Sequence, residues 1–309
     1  MKNFTTGVLK NYTGPLLIIT AALLWALDGV IRRYLFTLPP ITIIFFEHLI
    51  GFVILFPFVI KHVIKEKLEK RDVWLLILVA ILSGLLGTLW FTTALLKVHF
   101  ISFSVVFLLQ KLQPIFAITT ASIFLKEKFE RGYMPWAILA LVSAYFVTFK
   151  NGIVNLETGE GTVIAALYAL GAAFAWGSST TFSKMLLGRV RAEVSTYYRF
   201  ILTLILSFFV IIFFGYTETL AAPTMPQFGY LALIAVSTGM VALLIYYKGL
   251  EKTPVHISTI LELTFPFIAI LIDMKLYHNT LALSQLVAAC VLVFSIYQVA
   301  RLRQGQIVI

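Results

Sequence analysis

The chain has 309 residues, of which 60% are hydrophobic and 12% are charged, and its formal net charge is +10. A soluble protein of this length cannot hide so much apolar surface in one core, so the composition predicts an integral membrane protein. The single cysteine, Cys290, excludes an intrachain disulfide, and no Gly-rich phosphate loop is present to support direct ATP-driven pumping.

Ten apolar stretches are each long enough to cross a hydrocarbon layer of about 30 Å. In chain order they are residues 14–35, 41–61, 73–96, 100–124, 133–150, 161–184, 194–214, 228–249, 255–275 and 281–300. The first stretch is too long for a signal peptide and contains Asp28, so we interpret it as a membrane span. The sequence therefore predicts an all-α membrane protein of ten transmembrane helices.

The two halves of the chain repeat one pattern. Residues 21–25 (Ala-Ala-Leu-Leu-Trp) return as residues 172–176 (Ala-Ala-Phe-Ala-Trp), and Pro114 returns as Pro266 within a similar apolar context. Because each half holds five spans, an odd number, the second half must enter the membrane upside down relative to the first. We therefore predict two inverted five-helix repeats, residues 1–152 and 153–309, with a site between them.

The distribution of positive charge predicts the orientation. With the N-terminus inside, the cytoplasmic segments carry 17 lysines and arginines. The outer side carries five, which are Arg32, Arg33, Lys97, Lys150 and Lys275. The positive-inside rule then places both termini in the cytoplasm, and we expect a multi-pass protein of the inner cell membrane. The same asymmetry accounts for the net positive charge of the chain, so nucleic acid is not expected as a partner.

Four short motifs resemble one transporter family. They are Ala-Trp-Gly-Ser at 175–178, Tyr-Arg-Phe at 198–200, Leu-Gln-Pro-Ile-Phe-Ala at 112–117 and Leu-Lys-Glu at 125–127. In this order and spacing the chain resembles the EamA-type ten-span members of the drug/metabolite transporter superfamily. The resemblance implies a basket of ten helices around a cavity lined mainly by spans 1, 3, 4, 6, 8 and 9. It also implies secondary transport of small metabolites, often as export.

Charged residues inside spans are costly and usually mark function. A helical rise of about 1.5 Å per residue places Lys111 at about 15 Å, Glu262 at about 11 Å and Asp28 at about 20 Å from the cytoplasmic edge. Glu47 reaches a height similar to that of Asp28. We expect Lys111 to pair with Asp28 or Glu262 in a substrate site, or alternatively in a structural ion pair that fixes helix register. The excess of acids over one lysine favours a cationic or zwitterionic substrate, or a proton.

Several uncharged residues also fall on the expected cavity-lining spans. The aromatic candidates for substrate contact are Trp25, Trp90, Trp176 and Tyr246, and Ser179 is a candidate hydrogen-bond donor. The alternatives are an interfacial position for the aromatic residues and simple helix packing for the serine. Pro114 and Pro266 are expected to kink spans 4 and 9, either as paired gates or as static bends.

These observations predict a secondary active transporter that exports a small polar metabolite, such as an amino acid or amine. It would work by alternating access, coupled to a proton or a counter-substrate. The alternatives are an uptake carrier for a cationic or zwitterionic solute, and a non-transporting membrane scaffold or receptor. The scattered acids form no catalytic or metal-binding cluster, so we expect no enzyme activity, no metal and no cofactor. The expected partners are a small-molecule substrate and the lipid bilayer.

Overall fold

The computed structural model describes residues 2–97, 105–154, 156, 161–277 and 281–302. Throughout these ranges the regular secondary structure is helical. Residues 100–104 of the fourth predicted span lie outside the described part of the chain. The chain is an all-α membrane protein, as the sequence predicted.

We number the helices in chain order. The bounds are α1 Lys2–Arg32, α2 Pro40–Lys65, α3 Lys70–Lys97, α4 Val105–Gln110 with Gln113–Thr120, α5 Tyr133–Thr148, α6 Thr162–Leu187, α7 Ala192–Phe213, α8 Met225–Glu251, α9 Val255–Leu261 with Thr264–Tyr277, and α10 Leu283–Leu302. Eight apolar helical stretches in the described ranges are long enough to cross a membrane. The stretches Tyr133–Thr148 and Val255–Ala269 are shorter but also apolar, which completes the ten.

The helix packing has the symmetry expected of a duplicated chain. Helix α2 packs on its equivalent α7, and α5 packs on its equivalent α10. The contact of α1 with α8 is matched by that of α6 with α3, and the contact of α1 with α9 is matched by that of α6 with α4. Each half therefore completes the other, and the space between the halves is bordered by equivalent elements from both.

Helices α4 and α9 are broken at equivalent places. The breaks fall at residues 111–112 and 262–263, and the second pieces begin at Gln113 and Thr264. Pro114 and Pro266 lie in the first turn of these second pieces, where the missing N–H costs no helical hydrogen bond. The predicted proline kinks are therefore corrected to complete breaks just before each proline. Irregular backbone at membrane depth is tolerated where it lines a cavity.

Helices α3 and α8 each contain a π-helical segment. The segments are Ala80–Gly87 and Ala235–Val241, again in corresponding parts of the two halves. The wider turn shifts the backbone hydrogen-bond register and leaves carbonyl oxygens available to other donors. Two of these carbonyls, described below, accept side-chain hydrogen bonds from the opposite half.

The loop that follows α4 is tied to the start of α9. The Glu127 carboxylate accepts hydrogen bonds from the backbone N–H groups of Val255 at 2.8 Å and His256 at 3.1 Å. Its Oε2 atom also lies 2.6 Å from Nδ1 of His256, which must be the donor because a carboxylate only accepts. A negative group at a helix N-terminus is stabilised by the unpaired N–H groups there. Glu127 thus fixes the first piece of α9 against the end of α4.

Candidate functional site

A cavity of about 250 Å³ lies between the two halves. Its wall is formed by residues of α1, α2, α3, α4, α6, α7, α8 and α9, whereas α5 and α10 contribute none of the described lining residues. The structure thus adds α2 and α7 to the six helices that the resemblance implied. Both broken helices reach the wall at their breaks, at Lys111 and Glu262.

The structure brings most of the candidate residues to this one cavity. On its wall lie Trp25, Asp28, Glu47, Lys111, Pro114, Trp176, Ser179, Tyr246, Glu262 and Pro266. Trp90 is the exception and is corrected. Its ring packs against Gly171 of α6, where a Cβ atom would stand 2.8 Å from the ring. Trp90 therefore mediates helix packing outside the cavity wall.

Arg32 joins two of the candidate acids in a buried cluster. Its Nε lies 2.7 Å from Oδ2 of Asp28, and its Nη2 lies 3.1 Å from Oδ1 of Asp28 and 3.1 Å from Oε2 of Glu47. Thr238 also donates to Oδ1 of Asp28 at 2.7 Å. The charge count places Arg32 on the outer side, and the structure corrects this, because Arg32 is only 4% exposed and lies in this cluster. The i, i+4 spacing from Asp28 was the missed signal, since it places both side chains on one helix face.

Lys111 forms neither of the expected ion pairs. Asp28 is already paired with Arg32, and among the described residues no carboxylate lies within ion-pair distance of Lys111. Its Nζ atom instead stands 5.2 Å from the ring centroid of Phe265, at the other helix break. A cation over an aromatic face is attracted by the ring quadrupole. Lys111 therefore contacts the opposite half through a ring.

Glu262 is held by uncharged donors. The Tyr246 hydroxyl donates to Oε1 at 2.7 Å, and the Gln113 amide nitrogen donates to Oε2 at 3.2 Å. Ser258 adds a longer hydrogen bond of 3.4 Å to Oε1. Gln113 lies just after the break of α4, and Glu262 lies at the break of α9. Gln113 was not among the residues predicted for the site, although it stands directly before Pro114 in the repeated motif.

Two tryptophans occupy equivalent places on the cavity wall. Trp25 Nε1 donates to the carbonyl oxygen of Thr238 at 3.0 Å, and Trp176 Nε1 donates to that of Ser83 at 3.2 Å. Thr238 and Ser83 lie in the π-helical segments of α8 and α3. Each indole is thus anchored to a carbonyl of the opposite half and held with its ring on the cavity wall.

The charges on the cavity wall balance. The acids are Asp28, Glu47 and Glu262, and the bases are Arg32, Lys111 and Arg199. Arg199 lines the cavity and donates from Nη1 to the Tyr247 hydroxyl at 3.3 Å. The expected excess of negative charge is therefore corrected. It rested on counting Lys111 as the only buried cation.

Unpaired polar atoms gather on residues of the same wall. Among the described residues, no hydrogen-bond partner is found for Oγ1 of Thr92, Oε1 of Gln110, Oγ of Ser179, Nε of Arg199 and Oγ1 of Thr259. A buried polar atom without a partner costs about 1–3 kcal/mol. A substrate rich in donors and acceptors, or a rearrangement of the wall around it, would satisfy these groups. The described residues contain no cluster of three or more His, Cys, Asp or Glu side chains placed to hold a metal ion.

Comparison with known proteins gives a consistent result. The profile of the EamA-like transporter family matches residues 12–149 and again residues 163–301. The riboflavin transporter ImpX of Fusobacterium nucleatum subsp. nucleatum (strain ATCC 23726 / VPI 4351) is 35% identical over 297 residues, which are 95% of this chain and 99% of that protein. A crystal structure, described only as that of a protein, matches with a TM-score of 0.73 at 16% identity and covers 94% of this chain and 97% of its own. At that identity the last likeness shows the fold alone.

Proposed function

Because the chain belongs to the EamA-like transporter family of membrane transporters, we propose that it carries a flat, uncharged heteroaromatic solute of the riboflavin class through the central cavity. The proposal takes its substrate from the ImpX relative and is supported by the chemistry of the cavity wall. The residues proposed to contact the solute are Trp25, Asp28, Glu47, Lys111, Trp176, Ser179, Tyr246 and Glu262.

The aromatic rings of the wall carry the proposal. Trp25 and Tyr246 stand with ring centroids 5.0 Å apart, and Phe91 and Trp176 with centroids 5.2 Å apart. Each pair contains one ring from each half of the chain. A flavin has a rigid tricyclic ring system that presents two large faces to such side chains, and aromatic pairs gain about 0.5–1.5 kcal/mol beyond the area that they bury.

The polar groups of the wall suit the remainder of such a solute. The pyrimidine edge of a flavin alternates carbonyl acceptors with an N–H donor, and its ribityl chain carries several hydroxyl groups. Gln110, Ser179 and Thr259 lie on the wall with unpaired polar atoms. A wall with three acids and three bases favours a solute without net charge. The preference for an amine or other cation rested on an excess of acid that the structure removes.

The mechanism that we propose is alternating access between the two halves. The Gln113 to Glu262 hydrogen bond and the Lys111 to Phe265 contact join the breaks of α4 and α9 across the cavity. At a break in a helix the regular backbone hydrogen bonds are already absent. The backbone can therefore change its conformation there without breaking further helical hydrogen bonds. We therefore propose that the breaks before Pro114 and Pro266 act as hinges. Because equivalent helices of the two halves border the cavity, the solute could move in either direction. The gradients of the solute and of any coupled ion would then decide between export and uptake.

The orientation and the boundary between the repeats are part of the proposal. We propose that both termini are cytoplasmic in the inner membrane and that the repeats meet between residues 152 and 153. The charge asymmetry supports this orientation more strongly once Arg32 is placed in the buried cluster. Single cysteines in the segments around Glu66 and Glu218, in a Cys290→Ser background, should react with an impermeant thiol reagent from opposite sides.

Ligand binding to the purified protein in detergent tests the substrate. A ligand that binds only the folded state raises the melting temperature with its concentration. Riboflavin should do so and should quench tryptophan fluorescence, and Trp176→Ala should weaken both effects. Flavin mononucleotide, which adds a phosphate to the same ring system, should be less effective because the balanced wall has no surplus of positive charge. Stabilisation by amines or amino acids without any response to riboflavin would refute the proposed substrate.

A further inference from the structure

Glu262 differs from the other two acids on the cavity wall in its partners. Asp28 and Glu47 both contact the Arg32 guanidinium. Glu262 contacts three uncharged donors, from Tyr246, Gln113 and Ser258. Among the described residues no Lys, Arg or His nitrogen lies within 4.0 Å of its carboxylate. A carboxylate away from bulk water and without a cationic partner is a favourable place for a proton.

The hydroxyl of Tyr246 stands between two acceptors on different helices. It lies 2.7 Å from Oε1 of Glu262 on α9 and 3.5 Å from Oγ1 of Thr180 on α6. When Glu262 is ionised, Tyr246 donates to the carboxylate. When a proton binds at Oε1, that oxygen becomes the donor, the tyrosine oxygen accepts, and the tyrosine proton is free to turn towards Thr180. The α8–α9 hydrogen bond therefore persists in both states with its direction reversed, and the protonation of Glu262 decides whether Tyr246 also donates to Thr180 of α6.

We propose that Glu262 is the group that takes up and releases the proton coupled to solute movement. The inference rests on the proposed function for the identity of the solute, while the proton site rests on the geometry of the Tyr246, Gln113 and Glu262 cluster. The only bond that forms is the O–H bond at Oε1, made with a proton from solution on one side of the membrane and broken when the proton leaves on the other side. The two hydrogen-bond arrangements give the bistable element that a switch requires.

The charged and titratable groups that face this cluster are few. Helix α4 contributes Lys111, helix α1 contributes Asp28 with Arg32, helix α2 contributes Glu47 and His48, and helix α7 contributes Arg199. Helix α8 contributes Tyr246 and Tyr247. Among the described lining residues α6 adds only hydroxyl groups and its tryptophan, and α5 and α10 add none. Arg32 pairs with both Asp28 and Glu47, so among the described wall residues Glu262, Lys111 and Arg199 are the charged groups without an ion pair.

Riboflavin flux into proteoliposomes, with and without an imposed pH difference, tests the proposal. Glu262→Gln keeps the size of the side chain and imitates the protonated state. We expect the wild type to show counterflow that is strongly stimulated or opposed by the pH difference. Relative to its own counterflow without a pH difference, the variant should show no response to the pH difference. Glu218→Gln is the matched control, because Glu218 is an exposed glutamate in the loop before α8, and it should behave as the wild type does.

The outcomes separate the two proposals. A pH response that survives in Glu262→Gln, or a wild type that ignores the pH difference, overturns the proton site. Absence of riboflavin counterflow in the wild type overturns the proposed substrate. The proton site is then tested by a measurement that needs no substrate, the pH dependence of tryptophan fluorescence. Trp25 lies 5.0 Å from Tyr246 between ring centroids, so tryptophan fluorescence of the purified protein should change with pH in a step. A step that is lost in Glu262→Gln supports the proposal, and an identical step in both proteins refutes it.

Discussion

Trp25 and Trp176 stand 151 positions apart in the chain and make the same hydrogen bond in opposite halves of the molecule. Each indole donates to a backbone carbonyl, that of Thr238 or that of Ser83. Each acceptor lies in a π-helical segment of the half that does not contain the tryptophan. The duplication is therefore reciprocal, because one half supplies the side chain and the other supplies the altered backbone. This reciprocity holds the halves together around the cavity.

Removing either indole N–H should weaken the protein by a similar amount. Trp25→Phe and Trp176→Phe each delete one hydrogen bond to a backbone carbonyl, which should cost about 0.5–1.5 kcal/mol. The Ser83 carbonyl then keeps the hydrogen bond from the Thr88 hydroxyl at 3.2 Å. Thermal unfolding in detergent should show comparable decreases for both variants. Trp74→Phe is the matched control, because Trp74 is 71% exposed and should be replaceable without loss. A large effect at one tryptophan and none at the other would contradict the reciprocal arrangement.

Arg32 should be the most sensitive charged residue on the cavity wall. Arg32→Gln leaves the buried Glu47 and the partly buried Asp28 without their cation, and breaking a buried ion pair from one side costs about 3–5 kcal/mol. We expect poor folding, seen as a low yield of monodisperse protein and a much lower melting temperature. Arg71→Gln, at an exposed arginine near the start of α3, should have little effect.

A compensating variant separates the charge from the shape of Arg32. Arg32→Met combined with Asp28→Asn and Glu47→Gln removes the cation and both acids together, so no uncompensated charge stays buried. Replacing a complete buried ionic cluster is often neutral or stabilising. The triple variant should therefore be more stable than Arg32→Gln alone. Equal instability of the two would show that packing rather than charge makes Arg32 necessary.

Gly29 offers a way to fill the cavity without disturbing the fold. It lines the cavity, and a Cβ atom there meets no atom within 4 Å. Gly29→Ala should stabilise α1 by roughly 0.5–1 kcal/mol, because glycine is unfavourable in a helix interior. Gly29→Leu should keep this stability but abolish the thermal stabilisation by riboflavin, since its side chain enters the space proposed for the solute.

Gly177 is the matched contrast to Gly29. A Cβ atom at this position would stand 2.6 Å from the backbone oxygen of Gln113, at the break of α4. Gly177→Leu should therefore lower the melting temperature and reduce flux together, because backbone must move to admit it. Loss of ligand response in Gly177→Leu with an unchanged melting temperature would contradict the close packing of α6 on the α4 break.

The architecture was predictable from the sequence because its signals are long and redundant. The chain has ten apolar stretches, five in each half, and landmarks such as Pro114 and Pro266 recur at equivalent positions. These features predict an inverted duplication without knowledge of any contact. The site was only partly predictable. Membrane depth placed Asp28, Lys111 and Glu262 near the same level, but depth alone does not determine which way a side chain turns. Lys111 turns to Phe265, and Arg32 pairs with Asp28, one of the two acids expected beside Lys111.

The misplaced residues follow from local backbone geometry. Composition does not show which residues near the end of a membrane helix face water. The charge count therefore places Arg32 on the outer side, although its spacing from Asp28 is that of one helix face. Trp90 lies on a span that lines the cavity, yet its ring faces α6. The π-helical segment before it, Ala80–Gly87, shifts the helical register, and no sequence period predicts that shift.

Glu127 should make the stability of the protein sensitive to acid. Burial alone would raise the pKa of its carboxyl group, but the hydrogen bonds from the His256 ring and from two backbone N–H groups outweigh burial and lower the pKa. A lowered pKa means that the carboxylate stabilises the fold fully above the ordinary glutamate pKa of about 4.3 and loses this effect as the pH falls through the lower folded value.

Glu127→Gln should thus reduce stability near pH 7 by about 1–2 kcal/mol, as loss of a helix cap does. The difference in melting temperature from wild type should shrink below about pH 4.3. A difference that persists unchanged into acid would show that the side chain acts through its shape, whereas Glu218→Gln should match the wild type at every pH.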